Sequence, residues 1–108
     1  MNFNINNVLA DMLSAMKGTF SDNWKKVEPE VTKFMQERKG RLDLLTDLLL
    51  KGDISKPQFD SRLEDEKKVL EAEFLAIKVI TKAMAQKAAN AAFDVLTNAI
   101  LKAIKALL

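Results

Sequence analysis

The chain has 108 residues, one domain by length, and its 48% hydrophobic and 30% charged residues describe a chain that folds. It holds neither Cys nor His, which excludes disulfides, thiolate chemistry, Ser-His-Asp and Cys-His catalysis, and the Glu-x-x-His sites of di-iron bundles. The net charge of +2 is uneven: residues 1–50 balance seven basic against seven acidic groups, whereas the apolar last third sets Lys82, Lys87, Lys102 and Lys105 against Asp94 alone.

Ala, Leu, Lys and Glu dominate, Gly occurs only at 18, 40 and 52, and Pro only at 29 and 57. No segment alternates like a half-buried strand, so the fold class is all-α in a single domain. A first helix is expected over residues 4–17. Asn4 caps it, Phe3 staples onto Val8, and Val8, Leu9, Met12, Leu13, Met16 and Phe20 share one face. Asn7, Asp11, Ser14 and Lys17 occupy the other.

Gly18 to Asn23 interrupts the pattern, with Thr19, Ser21 and Asp22 all able to cap a new helix. The second helix, residues 22–51, buries Trp24, Val27, Val31, Phe34, Met35, Leu42, Leu45, Leu48 and Leu49. Pro29 inside it removes the N–H that would meet the Lys25 carbonyl, so a kink is expected near residue 29.

The strongest local signal is the turn between Lys51 and Lys56. Gly52 supplies a left-handed stop, and Ser55 with Gln58 makes a capping box. Ile54 and Phe59 form its staple, and Pro57 falls in the first turn, where its missing N–H is harmless. Through Lys51-Gly52, Ile54-Ser55, Phe59 and Arg62 leading into Leu63 and Leu70, residues 45–70 resemble the SHOCT family of short helical hairpins. That resemblance implies a role in oligomerisation or as an accessory module, with no catalytic residues to carry over.

Beyond Pro57 there is neither Gly nor Pro, so one continuous helix is expected over residues 56–106. At 1.5 Å per residue, residues 57–108 would span roughly 78 Å. Its apolar stripe runs Phe59, Leu63, Leu70, Phe74, Ile77, Met84, Ala88, Ala91, Val95, Ala99 and Leu107. Asn90, Asp94, Asn98, Lys102 and Lys105 form a narrow polar stripe.

Folding this hairpin at Asp53 brings Trp24 near Lys82 and lays the first helix along Ala89–Lys102. Two long arms and one short helix leave more apolar face than they cover. The residues expected at an interface are Leu9, Met12, Leu13, Met16, Trp24, Val95, Leu96, Ile100, Ile104, Leu107 and Leu108. Their expected cover is a second copy, giving a homodimeric four-helix or coiled-coil-like bundle, or another helical protein. The alternative is a membrane surface met by the amphipathic segment 88–108, whose Lys102 and Lys105 share a face.

No catalytic, cofactor-binding or metal-binding residue is expected, and no buried cluster of ionisable groups. Asp60, Glu64, Asp65, Glu66, Glu71 and Glu73 interleave with Arg62, Lys67 and Lys68 at helical spacing, which reads as a solvated, salt-bridged face. The basic groups Lys25-Lys26, Arg38-Lys39-Arg41 and Lys67-Lys68 are matched by nearby acids without aromatics to stack bases, which disfavours nucleic acid. Trp24, Met12, Met16, Met35 and Met84 read as packing residues. The expected function is that of a non-enzymatic helical interaction or assembly protein. With no Cys, no leader pattern and no spanning stretch, the expected compartment is the cytoplasm.

Overall fold

The computed structural model describes residues 3–107, and their secondary structure is helical throughout, without strands. Four helices appear: α1 Ile5–Phe20, α2 Trp24–Leu50, α3 Lys56–Leu75 and α4 Lys82–Leu107, with a 3-10 turn at Ser21–Asn23. Asn4 caps α1 as expected, its side chain accepting from the N–H groups of Asn6 at 3.0 Å and Asn7 at 3.2 Å. Gly18 does not end that helix, which runs on to Phe20. The chain then turns at Ser21, held at φ 53 with its N–H bonded to the Lys17 carbonyl. Pro29 lies in the second turn of α2 without ending it.

The turn between α2 and α3 takes the expected form. Gly52 sits at φ 80, and the Asp53 N–H returns to the Leu48 carbonyl at 2.8 Å. Ser55 Oγ accepts from the Gln58 N–H at 3.2 Å, while Gln58 Oε1 accepts from the Ser55 N–H at 2.9 Å.

The expected continuous helix over 56–106 is corrected. It ends at Leu75, and α4 starts only at Lys82 and folds back alongside α3. Residues 77–81 include four β-branched side chains, Ile77, Val79, Ile80 and Thr81, which lose rotamer freedom in a helix. Ile77 and Ile80 are buried by the bend, and Thr81 Oγ1 accepts from the Met84 N–H at 3.2 Å as an N-cap. Tertiary burial therefore outweighs the uninterrupted helical pattern.

The result is an up-down-up-down four-helix bundle in one chain, 43 × 22 × 20 Å. Helices adjacent in sequence pack on one another, and α1 closes the ring by packing closely on α4. Asn4, Asn7 and Asp11 face Lys102, Asn98 and Val95 across one groove, so α1 runs antiparallel to α4, along the segment expected. Bulky α1 side chains (Leu9, Met12, Met16, Phe20) and small α4 ones (Ala85, Ala88, Ala89, Ala92) are all buried in the one core. Short side chains on α4 permit this close approach. Near the far end, Phe20 stacks on Trp24 at 6.3 Å and meets Phe74 edge-on at 5.6 Å.

Candidate interaction surface

Most of the expected interface residues lie inside this bundle. Leu9, Met12, Met16, Leu96 and Ile100 are buried by the chain's own helices, and Leu13, Trp24, Val95 and Ile104 are half-buried against the same core. Leu107 stays exposed at 56%, and Leu108 lies outside the described residues. The expectation that a second copy covers α4 is thus corrected for its inner face. The chain folded back at residues 76–81 and did the covering itself. The polar stripe of Asn90, Asp94, Asn98, Lys102 and Lys105 is solvent-exposed, as its spacing demanded.

What remains uncovered comprises Leu44 on α2 and Val69 on α3, 57% and 48% exposed, and two clusters at the ends of the bundle. At the end holding the α2–α3 turn, Leu49, Leu50, Leu101, Ile104 and Leu107 line an open groove of about 500 Å³ with Lys56 at its edge. Lys56 pairs with Asp60, and Lys51 with Asp47 at 3.0 Å. The hydrogen bond to Asp47 and its negative charge raise the Lys51 pKa above its ordinary value. Lys102 and Lys105 have no carboxylate partner among the described residues. At the opposite end, Leu75 and Val79 are 43% and 42% exposed, on either side of the buried Ile77.

Of these residues only Ile104 and Leu107 were singled out from sequence. The signal for Leu49 and Leu50 was present, since Leu48-Leu49-Leu50 closes a helix with three successive apolar residues that one face cannot bury. Leu75 and Val79 were hidden by reading through the bend.

The interior also holds charge, against expectation. The Arg38 side chain is 3% exposed, and its Nη1 donates to the Phe34 carbonyl at 3.2 Å. Its Nη2 pairs with Glu73, and its Nε lies 3.7 Å from Glu66 Oε2. Arg41 Nε approaches Glu66 Oε1 at 3.1 Å. Glu66 and Glu73 therefore leave the solvated face expected of them and reach across to α2. Arg38 Nε and Glu66 Oε2 have no hydrogen-bond partner, so 3.7 Å marks an ion pair without a bond. Each carboxylate has a guanidinium partner, which gives the cluster a pinning role between α2 and α3. No group of three acidic side chains among the described residues is placed to hold a metal ion, and no described helix is long and apolar enough to cross a membrane.

Comparison of the chain with protein-family models, with curated proteins and with solved structures finds no match. The likeness of residues 45–70 to short helical hairpins accordingly rests on the capping pattern of the α2–α3 turn.

Proposed function

We propose that this chain is a non-enzymatic helical assembly protein that associates with itself. The observation that supports this reading is the apolar surface clustered at both ends of the bundle, beyond the single exposed side chains Leu44 and Val69 on its sides. Leu101 and Leu107 stand at one end, and Leu75 and Val79 at the other. Scattered single apolar residues need no explanation, but clusters at the ends of a small bundle favour contact with protein. A 22 × 20 Å end offers well under the ~800 Å² per partner of a stable interface, so contact between ends alone would be weak. Sedimentation equilibrium at micromolar concentration tests the reading. A concentration-dependent dimer supports it, and a monomer at every concentration overturns it.

One observation favours a second reading. The exposed Leu101 and Leu107 lie beside Lys102 and Lys105, the pairing of apolar tips with cations that binds an anionic lipid surface. In that case the protein sediments with anionic vesicles but not with neutral ones, and Lys102→Glu with Lys105→Glu abolishes the effect.

A further inference from the structure

We propose that α3 and α4 straighten into one helix through residues 76–81, and that two copies of this chain then exchange α4, each completing the other's bundle. This rests on the self-association reading and supplies its mechanism.

The bend between α3 and α4 begins in helical backbone and uses no left-handed residue. Ala76 has φ −73 and ψ −15, and no residue from 76 to 81 has a positive φ. The N–H groups of Ala76, Ile77 and Ile80 bond carbonyls three residues back, at 3.1, 3.0 and 3.0 Å. These are tightened helical turns, so straightening asks for new dihedrals chiefly at Ile80 and Thr81, which lie outside any helix or turn. Neither Gly nor Pro stands between Gln58 and Leu108. The other joint has no such freedom: Gly52 is left-handed, Ser55 is extended, and the Pro57 ring would clash with the carbonyl four residues back.

The apolar phase also survives the bend. Leu70, Phe74, Ile77, Thr81, Met84, Ala88, Ala91 and Val95 recur at alternating spacings of four and three from α3 into α4, with Thr81 the one polar member. A loop selected only to reverse the chain need not keep that register. Straightened, the segment presents one continuous stripe and forms a helix of roughly 78 Å at 1.5 Å per residue, against a bundle length of 43 Å.

Exchange conserves the large interfaces. The α4 face that packs on α1 and α3 packs identically on those of a second copy, so dimer and monomer differ chiefly at the bend. There the dimer gains contacts. Two straightened helices cross antiparallel at their bends, bringing Leu75 and Val79 of each copy, half-exposed in the monomer, against each other. Both residues lie four apart, hence on one face of a straight helix.

The absence of Cys permits a direct test. Asn7→Cys and Asn98→Cys place thiols on exposed residues across the α1–α4 groove. The variant is refolded at micromolar concentration, separated by size and treated with a short bismaleimide, with the single-Cys variants as controls. Exchange predicts that cross-links in the dimer fraction join two chains on a denaturing gel, while those in the monomer fraction stay within one. Thr81→Ala, which removes the cap at the start of α4 and favours helix through the bend, should raise the dimer fraction. Inserting Gly-Gly between Lys78 and Val79 should lower it, with the helical circular dichroism of both kept as a folding control. A dimer whose cross-links are all intrachain overturns exchange and leaves self-association standing. No dimer in either the native chain or Thr81→Ala overturns both.

Discussion

The joints on either side of α3 reverse the chain through a similar angle by different means. Between α2 and α3, every element of the turn is local: Gly52 at φ 80, the reciprocal Ser55–Gln58 bonds, and Pro57 in the first helical turn. Between α3 and α4 no residue takes a positive φ, and the reversal is held by burial of Ile77 and Ile80 with a single Thr81 cap. The first turn is specified by residues within a few positions of one another. The second exists because α4 has somewhere to pack. Residues that stop a helix are visible in any sequence, whereas a bend produced by packing depends on partners far along the chain.

The same contrast extends to the flanking helices. The α2–α3 pair carries the Arg38–Glu66–Glu73–Arg41 cluster, whereas no ion pair among the described residues joins α4 to a neighbour. Removing the buried guanidinium gives the largest expected effect. Arg38→Ala leaves Glu73 unpaired and Glu66 with Arg41 alone, at a cost of about 3 kcal/mol, the lower end for a broken buried pair since both carboxylates keep some water. Urea unfolding measures it. A loss under about 1 kcal/mol would mean that the cluster does not pin the pair, because surface ion pairs contribute no more than that.

At the second joint, Ile80→Ala removes one of the two side chains that hold the bend. The expected cost is about 2 kcal/mol, at the bottom of the range for buried Ile because a loop relaxes around the gap. Should thermal unfolding show no change, burial is not what bends the chain there, and the contrast between the joints fails.

How much of this was legible follows from that contrast. Asn4, Gly52, Ser55 and Gln58 act within four residues of themselves, so their roles could be read before any packing was known. The lie of α1 along Ala89–Lys102 was also legible, because two reversals offset each other: α1 folds back on α2 and α4 on α3, so α1 meets α4 antiparallel as it would if neither of those joints turned. The bend itself carried two faint signals, the run Ile77-Lys78-Val79-Ile80 and a Thr at 81 able to cap. Both were outweighed by an apolar stripe that continues in phase. That error propagated to the interface, since a straight helix leaves Leu96 and Ile100 in need of a second copy and a bent one buries them. The role of Arg38 was illegible for another reason. The phase of α2 did place it inward, between Met35 and Leu42 at the spacing of the buried face, but its charge matched that of Lys39 and Arg41 and only packing shows the carboxylates on α3 that meet it.

Gly52→Val tests the local turn from its backbone. A β-branched residue at φ 80 meets the left-handed penalty of roughly 1–2 kcal/mol, and the expected loss is about 1.5 kcal/mol. No heavy atom outside the residue's neighbours lies within 4 Å of a Cβ there, so the loss reports conformation and not collision. Gly40, equally open but helical, is the control: Gly40→Ala should stabilise by about 0.5–1 kcal/mol. Equal effects of opposite-sign expectation at the two glycines would show that the turn is not conformationally defined.

The smallest effects come from the two caps, and they distinguish the joints most cleanly. Ser55→Ala removes one half of a reciprocal pair, so the Gln58 N–H loses its acceptor and the return bond from Gln58 Oε1 loses its frame; about 1 kcal/mol is expected. Thr81→Ala removes a single 3.2 Å bond to the Met84 N–H, and Met84 offers no side-chain acceptor in return. The loss should be about 0.5 kcal/mol, partly offset because Ala favours helix at that position. The two substitutions therefore differ little in the stability of the monomer but should differ in its assembly. Ser55→Ala leaves Gly52 and Pro57 in place, so α2 and α3 still cannot merge, and the oligomer distribution should not move. Thr81→Ala weakens the one polar contact that marks the start of α4, and should shift the distribution toward dimer in sedimentation at equal protein concentration. If both caps leave it unchanged, the second joint is as firmly bent as the first, and burial of Ile77 and Ile80 alone suffices to hold it.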